Sequence, residues 1–157
     1  MNRADLAEQV AIELEAIQQT LGQLEELLRD VADREPTPRE VAAAGLFLAN
    51  LYNGIEHIFK RISQYHEVPV PSGDGWHVQL ARGFEHPARA GLPTLLDAKL
   101  ARQLGAYRRF RHVIHHGYGI HLRWEDMLPG IQGASDVVAR FQEAVQSHLD
   151  SLGLPPN

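Results

Sequence analysis

Cysteine is absent from all 157 residues, which rules out disulfides and thiolate metal ligands alike. A cysteine-free chain is compatible with the reducing cytosol, and a cytoplasmic location is the expectation. Long apolar runs are missing too. No uninterrupted stretch approaches the roughly 18 residues of a membrane span, so no membrane association is expected. The opening stretch, MNRADLAEQVAIELEAIQQ, carries acids throughout its apolar periodicity and lacks the core of a secretory leader. Acids in turn are missing from one place. Between Ala98 and Trp124 there are six basic residues (Lys99, Arg102, Arg108, Arg109, Arg111 and Arg123) and no Asp or Glu. The rest of the chain holds nine basic residues against twenty acidic ones, about −11, within a total of −5. That total argues against a wholly basic nucleic-acid binder. One positive segment on an acidic body points instead to a local site for a polyanion or an acidic partner, or to a solvated arginine-rich helix face.

What is present is helical periodicity. Val10, Leu14, Ile17, Leu21, Leu24, Leu28 and Val31 alternate at spacings of four and three, an apolar seam. Pro36 and Pro38 close that helix and open the next, where Thr37 suits the N-cap, Pro38 the first helical position and Glu40 a capping box. The second seam comprises Val41, Ala44, Leu48, Leu51, Ile55, Ile58, Ile62 and Tyr65. From Glu67 to Pro93 proline and glycine dominate, so a long loop is expected, with a short helix over Trp76–Arg82 and Trp76 pinning it to the core. A third helix is predicted from about Thr94 to His116, broken by Gly117 and Gly119. After a linker through MLPGIQG, Ser135 is expected to cap a fourth helix carrying Val138, Phe141, Val145, Leu149 and Leu152. The sum is an all-α fold: one domain over residues 1–157, an up-and-down four-helix bundle with a long Pro/Gly-rich loop between helices 2 and 3.

The acid-free segment contains RFRHVIHHGYG, residues Arg109–Gly119. A metal site is one reading, since His112 and His116 have the i, i+4 spacing of paired ligands and His115 and His121 are near. No acid lies between Asp97 and Glu125 to complete such a site, and the surrounding arginines repel a cation; no metal and no cofactor are expected. Phosphate chemistry is the other reading. Arginine offers a planar fork to phosphate oxygens, and histidine takes and gives protons near neutral pH. One of each is a minimal kit for cleaving a phosphodiester: the imidazole handles the proton of a ribose 2′-hydroxyl or leaving oxygen, and the guanidinium holds the developing anionic phosphorane.

RHVIHHGY resembles the R-x4-H-x-Y signature of HepT-type toxins in the HEPN superfamily of helical ribonucleases. Arg111 falls on the arginine of that signature, His116 on its histidine, Tyr118 on its tyrosine, and His112 on the polar position after the arginine. LANLYNGIEHIFKRI resembles the second-helix segment of these proteins, GDGWHVQLA their middle loop, and YRRFRHVIHHGYGIHLRWEDM their motif helix and its exit. The resemblance covers about Arg39 to Leu128. It implies a HEPN-like homodimer with two motifs facing across a cleft, and metal-independent cleavage of RNA. It also implies a nucleotidyltransferase (MNT-type) antitoxin that adenylylates the tyrosine. Arg111 and His116 then become the catalytic pair and Tyr118 the candidate adenylylation site. His112, Arg108, Arg109 and His115 become accessory or RNA-binding residues.

On an ideal helix, residues five apart lie about 140° apart around the axis. Arg111 and His116 therefore share a site only if the last turn loosens or if two subunits each contribute one member; Arg111 and His115 would share a face directly. His116 is ranked above His115. Tyr118 can also be read as an aromatic plug at the end of the bundle. Asn53 and Glu56, on the second helix, are read as candidates for hydrogen bonding across the dimer or for orienting the motif helix, Glu56 also by pairing with an arginine of the third helix, or as solvent-facing groups. Tyr107 and Phe110 read as core, and His57, His66, His77 and His86 as ordinary polar positions. The expectation is a HepT/MNT-type toxin ribonuclease. The alternative is a non-catalytic helical module that uses the basic 98–124 segment to dock nucleic acid or an acidic partner.

Overall fold

Asn2 and Thr37 start their helices in the same way. The Asn2 side chain accepts the Asp5 N–H at 3.0 Å and the Asp5 carboxylate accepts the Asn2 N–H at 2.9 Å. The Thr37 hydroxyl accepts the Glu40 N–H at 3.3 Å, and the Glu40 carboxylate accepts the Thr37 N–H at 2.9 Å. Each capping box satisfies two backbone donors that a bare helix end would leave orphaned. The helices so begun are α1 (Arg3–Asp30) and α2 (Pro38–Tyr65), with Pro38 at the first position as expected. In the computed structural model, residues 1–117 and 122–153 are described. Three further helices follow: α3 (Trp76–Arg82), α4 (Ala98–His116) and α5 (Trp124–Ser151), and no strand occurs among the described residues. The all-α expectation holds, as four long helices plus the short α3 inside the long loop. No helix among the described residues is long and apolar enough to cross a membrane.

Paired contacts give the directions of the long helices. Glu13 meets His57 and Ile17 meets Gly54, so α1 and α2 run antiparallel. Ile114 meets Gly45 and Arg111 meets Asn53, so α2 and α4 do the same. Tyr107 meets Gly130 and Gln103 meets Arg140, which sets α4 against α5. Helix α2 packs against each of the other four. Its Phe59 ring stacks on Phe84 at 4.5 Å, just after α3, and meets Phe141 of α5 edge-on at 5.6 Å. Trp76 is half-buried against this core, with the Lys60 ammonium 4.4 Å from its ring centroid, so the loop is pinned as expected.

Two boundaries differ from expectation. Helix α4 begins at Ala98 rather than Thr94, because Asp97 caps it by accepting the Leu100 N–H at 2.7 Å. Leu95 and Leu96, inside the predicted helix range, both donate their N–H to the Phe84 carbonyl, at 2.9 and 3.1 Å, and are buried as a loop. Helix α5 begins at Trp124, and the supposed linker MLPGIQG lies inside it. Met127, Ile131, Ala134 and Val138 extend the buried seam through that stretch. Pro129 removes one backbone donor, to the carbonyl of Glu125, on an exposed side where water can take its place. Gly130 serves close approach rather than a turn: a Cβ there would lie 3.3 Å from the Phe110 ring, and the Tyr107 hydroxyl donates to its carbonyl at 2.6 Å.

Candidate functional site

Helix α4 buries Leu100, Leu104 and Tyr107 and turns its arginines and histidines away from that seam. Arg108 and Arg111 are half-buried, and Arg109, His112, His115 and His116 are exposed. Arg111 reaches back to α2. Its Nε–H donates to the Asn53 side-chain oxygen at 2.5 Å, and the same nitrogen lies 3.5 Å from the Glu56 carboxylate. Both candidates for orienting the motif helix therefore touch its central arginine. Glu56 is only 2% exposed, and a carboxylate so deep needs a countercharge or hydrogen bonds.

The other Glu56 oxygen lies 2.5 Å from His77 Nδ1, and His77 Nε2 lies 3.3 Å from an Arg111 terminal nitrogen. A guanidinium only donates, so Nε2 is the acceptor in that contact and the imidazole proton sits on Nδ1, donated to Glu56. His77 was expected to be an ordinary polar position; in the structure it joins α3 to the motif arginine. The signal that identifies it is Glu56, an acid next to the apolar seam of α2 that requires a partner from whichever segment covers it.

Between the start of α3 and the C-terminal half of α4 lies an open cleft of about 500 Å³. His77 and Val78 line one wall, and Arg108, Arg109, Arg111, His112 and His116 line the other. No carboxylate lies among its described lining residues. Helix α4 stays α-helical through His116, and the Gly117 N–H still reaches the Val113 carbonyl at 2.7 Å. Arg111 and His116 thus both line the cleft without a loosened last turn. The His112 and His116 rings stack there with centroids 4.6 Å apart.

His115 lies on the same turn but does not line the cleft. Desolvation, and then the charge of Arg111, hold its pKa below the ordinary histidine value. Beneath the site the Tyr52 hydroxyl is fully buried and has no hydrogen-bond partner among the described residues. Burial pushes its pKa up, against the opposing pull of Arg108. Tyr118 and His121 lie outside the described residues. No group of three or more potential metal ligands occurs among the described residues.

Comparison with known proteins adds one finding. A family model described as "HepT-like protein" matches residues 43–152, from early α2 to the end of α5. No curated protein and no solved structure matches the chain significantly. The matched span takes in Asn53, Glu56, His77 and the whole of α4, and the chain belongs to the HepT-like family.

Proposed function

We propose that the protein is a metal-independent endoribonuclease of the HEPN type, the toxin of a HepT/MNT-type toxin–antitoxin system. The observation that carries this reading is a cleft lined by Arg111 and His116, with further arginines and no carboxylate among its described residues. Such a lining favours a phosphate over a cation.

In the proposed reaction His116 removes the proton of a ribose 2′-hydroxyl, and the 2′ oxygen forms a bond to phosphorus. Arg111 holds the anionic phosphorane by hydrogen bonds that strengthen as charge develops. The bond from phosphorus to the 5′ oxygen then breaks. That oxygen leaves with a proton delivered by solvent or by a second imidazole, giving a 2′,3′-cyclic phosphate and a 5′-hydroxyl end. Arg108, Arg109 and His112 bind neighbouring phosphates and bases, and His115 is an accessory group nearby, outside the cleft lining. A homodimer placing two such clefts face to face would double the charge presented to RNA. Tyr118, one residue beyond Gly117, is the proposed acceptor of AMP from a nucleotidyltransferase antitoxin. The site of action is the cytoplasm, where both RNA and antitoxin reside.

Incubation of the purified protein with labelled RNA in EDTA tests the reading. Cleavage is expected from the native chain and is expected to vanish in Arg111→Ala and His116→Ala variants of unchanged helicity. Retention of RNA without cleavage would replace the enzyme with the non-catalytic docking module. Co-expression with a neighbouring nucleotidyltransferase should add one or more AMP masses at Tyr118.

A further inference from the structure

A guanidinium carries five N–H donors in a rigid fork. In Arg111 the Nε–H is taken by Asn53, and one terminal N–H faces His77 Nε2. Three N–H groups are left without a partner among the described residues, on a side chain that lines the cleft. We propose that His77, oriented by Glu56, is a positioning residue that clamps the Arg111 guanidinium and aims its free donors at a phosphate group in the cleft.

The buried acid explains why a histidine is needed. Glu56 and Arg111 face each other deep beside α2, and an unmodulated carboxylate would capture the fork in a bidentate pair. That would neutralise the arginine and consume the donors a phosphate requires. Instead Glu56 makes its short contact, 2.5 Å, with His77 Nδ1 and stays 3.5 Å from Arg111 Nε. The imidazole occupies one carboxylate oxygen and bridges it to an Arg111 terminal nitrogen, leaving the other oxygen in a longer ion pair with Nε. With the ring proton held on Nδ1, the Nε2 lone pair gives one Arg111 terminal nitrogen a fixed direction. Asn53 fixes the other edge at Nε.

The clamp comes from a different segment than the arginine it holds. His77 is the second residue of the seven-residue helix α3. Its ring lies 3.5 Å from that of Trp76, which packs on the core beneath Lys60. Docking of Trp76 therefore carries His77 into register with Arg111.

The catalytic consequence rests on the ribonuclease reading; the clamp itself does not. Two measurements keep them apart. In ¹⁵N NMR, His77 should show a protonated Nδ1 and an unprotonated Nε2. The Arg111 terminal Nη–H signals, identified by their loss in Arg111→Lys, should be resolved by restricted rotation in the native protein and averaged in His77→Ala. An Nε2-protonated His77, or an Arg111 signal unaltered by His77→Ala, would overturn the clamp whether or not RNA is cleaved. In the cleavage assay His77→Ala should lower kcat about 100-fold, the scale of a misplaced reacting group. His77→Gln should recover most of that loss, because its amide offers an oxygen to Arg111 and an N–H to Glu56. If the Gln variant is as inactive as Ala while its Arg111 signal stays native, the imidazole carries protons itself and the positioning role is wrong. If the native chain cleaves no RNA, the ribonuclease reading fails and the NMR result alone decides the clamp.

Discussion

His112 and His116 stack one turn apart on α4, their ring centroids 4.6 Å apart and their planes 43° from parallel. Both border the cleft, so the first ring limits where the second can swing. Replacing His112 by Ala frees His116 to adopt rotamers directed away from a bound phosphodiester. Cleavage should slow about tenfold, short of the ~100-fold cost of a fully misplaced catalytic group. His112→Phe keeps a ring in place and should stay near the native rate. A His112→Ala protein cleaving at full speed would show that the stack does not organise His116.

Arg108 and Arg109 contribute charge to the same wall. Binding of single-stranded RNA should weaken linearly in log salt, with a slope of roughly 0.7 for each phosphate contact. The double replacement Arg108→Gln, Arg109→Gln should reduce that slope by roughly 1.4 if each arginine meets one phosphate. Titration of a non-cleavable 2′-O-methyl oligonucleotide at several salt concentrations reads this directly. An unchanged slope would place the RNA elsewhere.

The parts of the molecule legible in the sequence are those with a local physical cause. The seam of α1 and the Thr37–Pro38–Glu40 start of α2 follow from spacing and capping within a few residues. The start of α5 did not follow, because MLPGIQG contains residues that usually end helices. What keeps it helical is tertiary: Met127 and Ile131 are buried, and Gly130 lets Tyr107 and Phe110 approach. The candidate site divides in the same way. Arg111 and His116 lie on one helix and are visible as a pattern, whereas His77 enters through a contact with Glu56, 21 positions away.

Gly54 shows how closely α1 and α2 approach. A Cβ at this position would fall 2.5 Å from Ile17 Cγ1 and 3.0 Å from its Cδ1, and Ile17 is buried. Alanine would gain about 1 kcal/mol of helix propensity against about 1–3 kcal/mol of overpacking. A net loss of about 1 kcal/mol in Gly54→Ala follows from those two terms, measurable by urea denaturation. Adding Ile17→Ala should make the second substitution less costly in the Gly54→Ala background than in the native one, because it removes the clashing atoms. Strict additivity of the two would mean that the helices move apart instead.

His66 and His148 meet at the other end of α2, Nε2 to Nε2 at 3.1 Å. One ring donates and the other accepts, which requires at least one to be neutral. Burial holds both pKa values below the ordinary 6.5, and for His148 the charge of His66 acts in the same direction. The unfolded chain takes up these protons near 6.5 while the folded chain resists them, so the unfolded state binds more protons just below that pH. Stability from this pair is therefore complete above 6.5 and is lost as pH falls toward the lower folded values. His115 moves in the same sense, so a comparison is needed to isolate the pair. The melting temperature should fall as pH is lowered from about 7.5 to about 5.5, across the ordinary histidine range. The double variant His66→Gln, His148→Gln should show a shallower fall. A native melting temperature that rises on acidification, or a double variant with an identical fall, would mean that the paired imidazoles do not resist protonation.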